Sequence, residues 1–296
     1  VEEEMTNKLW FGIPGSHMQW VPCPGIGSAI ARNRYIERMQ FENGGGDARR
    51  SAQYQMEYQF NFSGLAHEVD GIDAFNKFAE GFYGDGLIQL AHPANFETNM
   101  FPAAWASPAL IEQGWANIGS TVPSFANTNT ASYGQPPRTA TWNVTQQADT
   151  YTKFVTVAIP PTHTLHLGVS GVATGDGVVR VDPVLADGTL DTPVDLTLLS
   201  KSSSTRMNTT FSGGTYQAVR VYITRADETA STVSITSMMA QLYKTGATPA
   251  LPTMHYQGEG STGLMFVDDA IVENYSYMYP PRKGIATTLV EVGAWR

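Results

Sequence analysis

Between residues 53 and 62 the sequence runs Gln-Tyr-Gln-Met-Glu-Tyr-Gln-Phe-Asn-Phe, so Tyr54, Met56, Tyr58, Phe60 and Phe62 alternate without a slip against five polar residues. Successive side chains of a strand point to opposite faces, which puts all five apolar groups on one side. A chain with such a segment must cover one face with an apolar layer and leave the other to water, the pattern of an antiparallel sheet. The segment follows Phe41-Glu-Asn-Gly-Gly-Gly-Asp-Ala-Arg-Arg-Ser, a glycine-centred turn. The spacing predicts a hairpin with arms at 34–41 and 53–62. No catalytic or metal-binding pattern matches this segment in clarity, so the sequence describes a scaffold better than a reaction.

The 296 residues are enough for two domains or for one large β fold, and 42% of them are hydrophobic. Charged residues make up 15%, against about 25% in an ordinary soluble domain. A thinly charged surface suits a protein packed against neighbours, and a Thr/Ser/Gln-rich extracellular β protein has the same composition. The net charge of -9 argues against a nucleic-acid groove, which needs Lys and Arg clusters. Residues 1–118 hold 14 acidic and 7 basic residues, residues 119–248 hold 8 and 8, and residues 249–296 hold 5 and 3. Acidic flanks around a balanced middle suggest that the flanks belong together. Cys23 is the sole cysteine, set between two prolines, so no intrachain disulfide can form and the thiol reads as structural. No stretch approaches the roughly 20 apolar residues of a membrane span. The opening Val-Glu-Glu-Glu is acidic where a leader would be basic, so synthesis in a cytoplasm without a cleaved leader is expected.

Residues 1–118 read as strands with two short helices. Trp10-Phe11-Gly12 and Met18-Gln19-Trp20 flank a Pro14-Gly15 turn. From Asp70 to Phe82 the period changes: Ile72, Phe75, Phe78, Ala79 and Phe82 recur at helical spacing, Asp70 is a capping residue, and Gly81 and Gly84 mark the end. Residues 87–90 form a short strand, and Ser107-Pro108 starts a second helix. Residues 119–139 are rich in Ser, Thr, Asn, Gly and Pro and read as a linker. Eight strand-like runs follow, at 139–146, 153–159, 164–169, 178–184, 194–199, 206–211, 216–223 and 232–243, with no helix among them. They predict a β-sandwich of jelly-roll type. Residues 249–257 make a return linker, and 274–279 and 287–295 are strand-like. That tail is too short to bury a core alone, so it should pair with strands of 1–118. The expected division is a hub domain from 1–118 and 249–296, with 119–248 inserted as a sandwich.

Candidate chemistry is sparse. His163 and His166 lie three apart on a strand and so point to opposite faces, which disfavours a metal site. Asp176, Asp182, Asp187, Asp191 and Asp195 match no calcium-loop spacing and read as solvated turn residues, with a structural calcium as the alternative. Gly25-Ile-Gly27 lacks the preceding strand and third glycine of a dinucleotide fingerprint. No Gly-x-Ser-x-Gly elbow occurs, and nothing singles out a catalytic pair among the 27 carboxylates. The expectation is a protein without enzymatic activity, cofactor or metal. Trp142, Tyr151, Tyr216 and Tyr222 of the middle region are candidates for a glycan-stacking platform. Trp10, Trp20, Trp105, Trp115 and Trp295 lie in the flanks and suggest hub packing or a subunit interface.

The opening Leu9-Trp-Phe-Gly-Ile-Pro-Gly-Ser-His-Met-Gln-Trp-Val-Pro, the Asn43-Gly-Gly-Gly-Asp-Ala-Arg-Arg-Ser turn and the closing Thr287-Thr-Leu-Val-Glu-Val-Gly-Ala-Trp-Arg resemble minor tail proteins of long-tailed phages of actinobacteria, in particular the distal tail protein type. The resemblance covers most of 1–118 and 255–296 and is weak across the middle. It implies a mainly β protein with a distal-tail-protein-like hub, a β-sandwich or split barrel with short helices. To this is added an inserted galectin-like or carbohydrate-binding-module-like jelly roll. It also implies a ring, usually a hexamer, joining the tail tube to the tip or baseplate of the virion. The implied partners are further copies of the chain, the tail tube protein, the tail-tip hub and other minor tail proteins, with DNA only as passing cargo. Host cell-wall glycan is a possible ligand of the sandwich, which leaves a carbohydrate-binding tail adhesin as the alternative. No membrane contact is expected.

Overall fold

The amphipathic segment forms a strand, but its partners are not those that the nearby turn suggests. The computed structural model describes residues 8–24, 28–33, 36–40, 46–50, 55–66, 72–107, 124–127, 138–144, 154–200, 206–226, 230–247, 258–261, 263–267, 272–276 and 282–292. Within them the first elements are β1 (Lys8–Ile13), β2 (His17–Pro22), β3 (Ala29–Asn33), β4 (Ile36–Gln40), β5 (Gly46–Arg50) and β6 (Gln55–Ala66), then α1 (Ile72–Ala79), β7 (Gln89–Ala91) and α2 (Ala103–Ala106). The glycine turn joins β4 to β5, with Gln40 opposite Gly46, rather than β4 to the amphipathic strand. That strand, β6, lies against β3, with Ile30 opposite Tyr58. Two residues intervene between β3 and β4 and four between β5 and β6, so the expected hairpin is broken into two offset ladders. The side-chain pattern holds: Met56, Tyr58, Phe60 and Phe62 are buried while Gln59 and Asn61 are exposed. Tyr54 lies outside the described residues.

Helix α1 lies on this apolar face. Phe75 stacks on Phe11 with ring centroids 4.6 Å apart and touches Phe60 and Phe62 at 6.2 and 5.0 Å. The helix stops at Ala79. Gly81 takes φ 71° and donates its N–H to the Phe78 carbonyl at 3.1 Å, and the Phe82 N–H reaches the Lys77 carbonyl at 2.8 Å. This is the glycine-closed helix end that satisfies the last carbonyls. It turns Phe82 away from the apolar stripe where its spacing placed it, and the ring is 72% exposed. The capping role of Asp70 lies outside the described residues. A one-turn helix, α2, ends at Ser107, and the helix expected to start at Ser107-Pro108 runs outside the described residues.

The remaining strands are β8 (Ser124–Asn127), β9 (Arg138–Val144), β10 (Val155–Ala158), β11 (His163–Thr174), β12 (Gly177–Val184), β13 (Val194–Thr197), β14 (Leu199–Ser200), β15 (Met207–Ser212), β16 (Ala218–Arg225), β17 (Ser231–Lys244), β18 (Leu264–Phe266), β19 (Val272–Ser276) and β20 (Arg282–Glu291). Each of the eight predicted runs contains a strand; β8 and β14 were not anticipated. The chain is mainly β, in several antiparallel sheets. One sheet has the order β10-β16-β12-β13, and a second runs β14-β11-β17-β9-β8 with β15 also on β11. Their shared core takes alternate residues: Ala140, Trp142 and Val144 from β9, Leu165, Leu167 and Val169 from β11, Val179 and Val181 from β12, and Val219, Val221 and Ile223 from β16.

The C-terminal strand returns to the first part of the chain, as its length required. Strand β20 pairs antiparallel with β6, placing Leu289 opposite Tyr58 and Val290 opposite Glu57. Its other edge takes β18 and β19. The Glu291 carboxylate accepts the Met56 N–H at 3.0 Å, tying the end of β20 to the start of β6. A bridge between Ile88 and Leu264 links this sheet to the β2-β1-β7 sheet. Leu9, Phe11, Tyr58, Phe60, Phe62, Phe75, Leu264, Ile285 and Leu289 form one core between them.

The two cores do not part at residue 118. Phe96, Met100, Phe101, Trp105 and Ala106 belong with the sandwich core. The crossing segment extends the edge of β17: Leu242 N–H bonds to the Phe96 carbonyl at 2.8 Å, and Met100 N–H to the Ala240 carbonyl at 2.7 Å. Between them the fully buried Asn99 side chain donates to the Met238 carbonyl at 3.0 Å and accepts the Ala240 N–H at 3.1 Å. The returning segment lies on the outgoing one, Glu259 N–H to Asn99 carbonyl at 3.0 Å and Gly260 N–H to Phe101 carbonyl at 3.1 Å. A Cβ on Gly260 would sit 1.8 Å from the Met100 carbonyl oxygen, so the crossing is as close as backbone allows.

Two outcomes follow from this crossing. A fragment of 119–248 lacks Phe96, Met100, Phe101 and Trp105, each contributing about 1.5–3 kcal/mol by burial. It should therefore melt well below a fragment of 92–261, with thermal circular dichroism as the readout; equal melting would mean that the crossing segment adds nothing. Gly260→Ala should destabilise the whole chain by about 1–3 kcal/mol through overpacking, measured by denaturant unfolding.

Candidate functional site

The alternation that fills the sandwich core also dictates what the four-stranded sheet presents on its other side. With Val179, Val181, Val219 and Val221 turned inward, Arg180, Asp182, Arg220 and Tyr222 turn outward. Register places Asp195, Arg180 and Tyr222 in one row across β13, β12 and β16, and Asp182, Arg220 and Thr156 in the next across β12, β16 and β10. Arg180 grips Asp195 with both arms of its fork, Nε to Oδ1 at 2.6 Å and Nη2 to Oδ2 at 2.8 Å. The Tyr222 hydroxyl donates to Asp182 Oδ2 at 2.9 Å. The Arg220 guanidinium lies 5.0 Å from the centroid of the Phe154 ring. Opposite charges in neighbouring strands stabilise each other, and the fork adds geometric definition.

The ionisation states follow from burial and contact. The hydrogen bond to Asp195 holds the Arg180 guanidinium well above its ordinary range. Burial, then the bond to Asp182, pushes the Tyr222 hydroxyl up. Burial raises Asp182, although the Tyr222 bond and the charges of Arg180 and Arg220 oppose it. The result is an ordered surface of donors and acceptors with two aromatic rings, Tyr222 within it and Phe154 at its edge. Such a surface can hydrogen-bond a hydroxyl-rich ligand.

The expected glycan residues are not assembled into one platform. Trp142 is fully buried in the sandwich core and cannot reach a sugar, and Tyr222 keeps only 8% exposure. Tyr216 is half-buried in the loop side, its hydroxyl on Asp191 Oδ2 at 2.9 Å and its ring edge-on to Phe211. Tyr151 is outside the described residues. The tryptophans expected at a hub interface divide as well. Trp10 and Trp105 are 6% and 3% exposed and are spent on the chain's own core, where Trp10 meets the half-buried Trp20 at 5.2 Å. Trp115 and Trp295 are outside the described residues. Full burial of strand tryptophans follows from their place on inward positions, which residue type alone does not reveal.

His163 faces Phe96 at 4.8 Å and Trp20 at 6.4 Å, and His166 lies on the opposite face against Tyr243 at 5.1 Å. Burial lowers both imidazoles, helped at His163 by the charge of Lys244. The aspartates scatter: Asp182 and Asp195 join the outer sheet face, while Asp187 and Asp191 sit in the loop between β12 and β13. There Asp187 is held low by the Thr189 hydroxyl and N–H, and Asp191 by the Thr192 N–H and the Tyr216 hydroxyl. Among the described residues no group of three or more His, Cys, Asp or Glu side chains is placed to hold a metal. No described helix is long and apolar enough to cross a membrane. Arg180, Arg220 and Phe154 were missed as site residues, and Asp182 and Asp195, read as turn aspartates, stand in strands β12 and β13. The alternation of Val219, Val221 and Ile223 with Arg220, Tyr222 and Thr224 was the available signal.

No family model matches the sequence, and no curated protein matches it. Among solved structures, the chain is similar to the CBM22-1 xylan-binding domain from Paenibacillus barcinonensis Xyn10C, at 14% identity and a TM-score of 0.30, over 45% of this chain and 88% of that one. The tandem CBM22-1-CBM22-2 domain of the same protein gives 13% and 0.31, over 59% of this chain and 56% of that one. The T13 infectious bursal disease virus particle gives 11% and 0.26, over 97% and 74%. Likenesses this distant carry no argument about what this chain does.

The outer face makes one prediction. Asp182 has a folded pKa above its unfolded value, so the folded state holds this proton more tightly. Its contribution to stability is therefore greatest at low pH and falls as pH rises through the folded value. Asp182→Asn keeps an acceptor for Tyr222 and removes that titration. As pH rises from the ordinary Asp pKa of about 4 through the raised folded value, the variant should lose less stability than the parent. Superimposable pH profiles of the denaturant midpoint would reject the assignment.

Proposed function

We propose that the protein is a non-enzymatic structural component of a phage tail tip. In this reading the β1–β7 and β18–β20 strands build a ring, hexameric in the simplest case, that joins the tail tube to the tip or baseplate. The sandwich stands at the periphery as a jelly roll. One observation carries the reading: β20 pairs with β6, so both ends of the chain build one sheet and the sandwich strands lie between them in sequence. That is the plan implied by the resemblance at residues 9–22, 43–51 and 287–296. The acidic flanks agree in sign with a passage through which DNA moves without sticking. The partners in this reading are copies of the same chain, the tail tube protein, the tip hub and other minor tail proteins, and its location is the virion.

A carbohydrate-binding adhesin is the second reading, favoured by the outer face of Arg180, Asp182, Tyr222 and Phe154 rather than by Trp142. The two can coexist. Electron cryomicroscopy of tail tips is the test of the first: density for this chain in the ring between tube and tip is expected, and its absence there rejects the ring. A glycan array probed with the full chain and with Arg180→Ala tests the second. Binding lost in the variant supports the adhesin, and no binding by the parent removes it.

A further inference from the structure

On the outer face of the β10-β16-β12-β13 sheet the two polar rows lie between buried ones. Val178 and Thr224 form the row beyond Arg180 and Tyr222, and Val184 and Ala218 the row beyond Asp182 and Arg220. All four are buried, whereas Arg180, Asp182, Arg220 and Thr156 keep partial exposure. The polar rows therefore make a strip across the sheet.

Within the strip one row is complete and the other is not. Arg180 spends both arms of its fork on Asp195. In the next row Asp182 stands directly opposite Arg220, and Arg220 opposite Thr156. Among the described residues no hydrogen bond joins these three. The Tyr222 hydroxyl holds Asp182 aside by its Oδ2, and the Arg220 guanidinium lies over the Phe154 ring. The Oδ1 of Asp182, the N–H groups of Arg220 and the Thr156 hydroxyl make no hydrogen bond among the described residues. Neighbouring strands are about 4.8 Å apart, so the row spans about 10 Å from Asp182 to Thr156. That is room for one sugar ring with its hydroxyls.

The chemistry of the row selects among ligands. A hydroxyl donates and accepts at once, so one seated between Asp182 and Arg220 satisfies both. A carboxylate or phosphate offers acceptors alone; it suits Arg220 but meets like charge at Asp182. An ammonium fails at Arg220 for the mirrored reason. Two arginines and two aspartates leave the strip with no net charge to draw in either sign. Ring stacking contributes little, because Tyr222 and Trp142 are buried and Arg220 already lies on Phe154.

We propose that the Asp182–Arg220–Thr156 row is a subsite for an uncharged saccharide, held by neighbouring hydroxyls that bridge the carboxylate and the guanidinium. The inference rests on the adhesin reading and names the class of glycan that such an adhesin takes.

The test uses the full chain at neutral pH, with soluble mannan, galactan and glucan as neutral probes and polygalacturonate and hyaluronate as acidic ones. Calorimetry reads affinity, and circular dichroism checks that each variant is folded. The parent should bind a neutral polymer, with less than about a twofold change between about 0.05 and 0.5 M salt. Arg220→Met keeps an apolar stem on Phe154 and removes the donors; it should weaken binding at least about tenfold. Asp182→Asn keeps an acceptor for Tyr222 and removes the charge. It should weaken neutral binding by a similar factor and shift preference towards polygalacturonate, since Arg220 then has no carboxylate beside it. The subsite is overturned if the parent prefers an acidic polymer, if both variants bind the neutral polymer like the parent, or if Asp182→Asn leaves the preference unchanged. Each of these results keeps the adhesin and moves its site or its ligand class. A parent that binds none of the five polymers also overturns the subsite, and a glycan array likewise blank removes the adhesin with it.

Discussion

The pairing of β20 with β6 is the contact on which the rest of the molecule depends. It joins residues more than 200 positions apart, so it closes a very long loop and carries the entropy cost of doing so. What offsets that cost is the apolar face of β6. Met56, Tyr58, Phe60 and Phe62 need a layer over them; α1 and β1 supply it, and β20 widens the same apolar face with Ile285 and Leu289. Without β20 the sheet loses its middle, because β18 and β19 reach β6 only through it. Strand order therefore makes the C-terminal segment a structural centre rather than an appendage.

That closure forces the chain to cross between the two cores twice. The crossing is built from backbone more than from side chains. Phe96 and Met100 exchange main-chain bonds with Leu242 and Ala240, Asn99 mimics a strand with its amide, and the return passes within contact of the outgoing segment at Gly258 and Gly260. A second contact holds the sandwich to the turn between β1 and β2: Gly15 lies against Gly188, and its N–H bonds to Gln217 Oε1 at 2.9 Å. A buried amide left without these bonds would be costly, so the arrangement favours one relative placement of the two cores.

The sandwich spends its aromatic bulk inside and its charge outside. Trp142 fills the core, while Arg180, Asp195, Asp182 and Tyr222 hold one another on the outer sheet face. A surface fixed in this way is pre-ordered for a polar ligand and loses little entropy on binding. The end of α1 does the reverse, where Gly81 turns Phe82 out of the helix stripe into solvent. Exposed and buried aromatics thus change places relative to what composition by segment suggests.

The sequence alone determined the elements whose pattern is local. Period-two alternation identifies β6 and the eight sandwich runs, helical spacing identifies α1, and the Pro14-Gly15 turn identifies the β1–β2 hairpin. The shortness of the tail was enough to predict its return to the first part of the chain. Tertiary structure decided everything that depends on which face meets what. The glycine turn could not say that β6 would pair with β3 and β20 instead of its neighbour in sequence, because register is set by long-range burial. Nothing local marked Phe96 to Ala106 as part of the sandwich core. Trp142 looked like a binding residue because residue type is silent about burial, and Arg180 and Asp195 looked ordinary because 15 positions separate them until β12 and β13 bring them into one row. Pattern within a segment is carried by neighbouring residues, whereas a site is made by segments that only the packed core brings together.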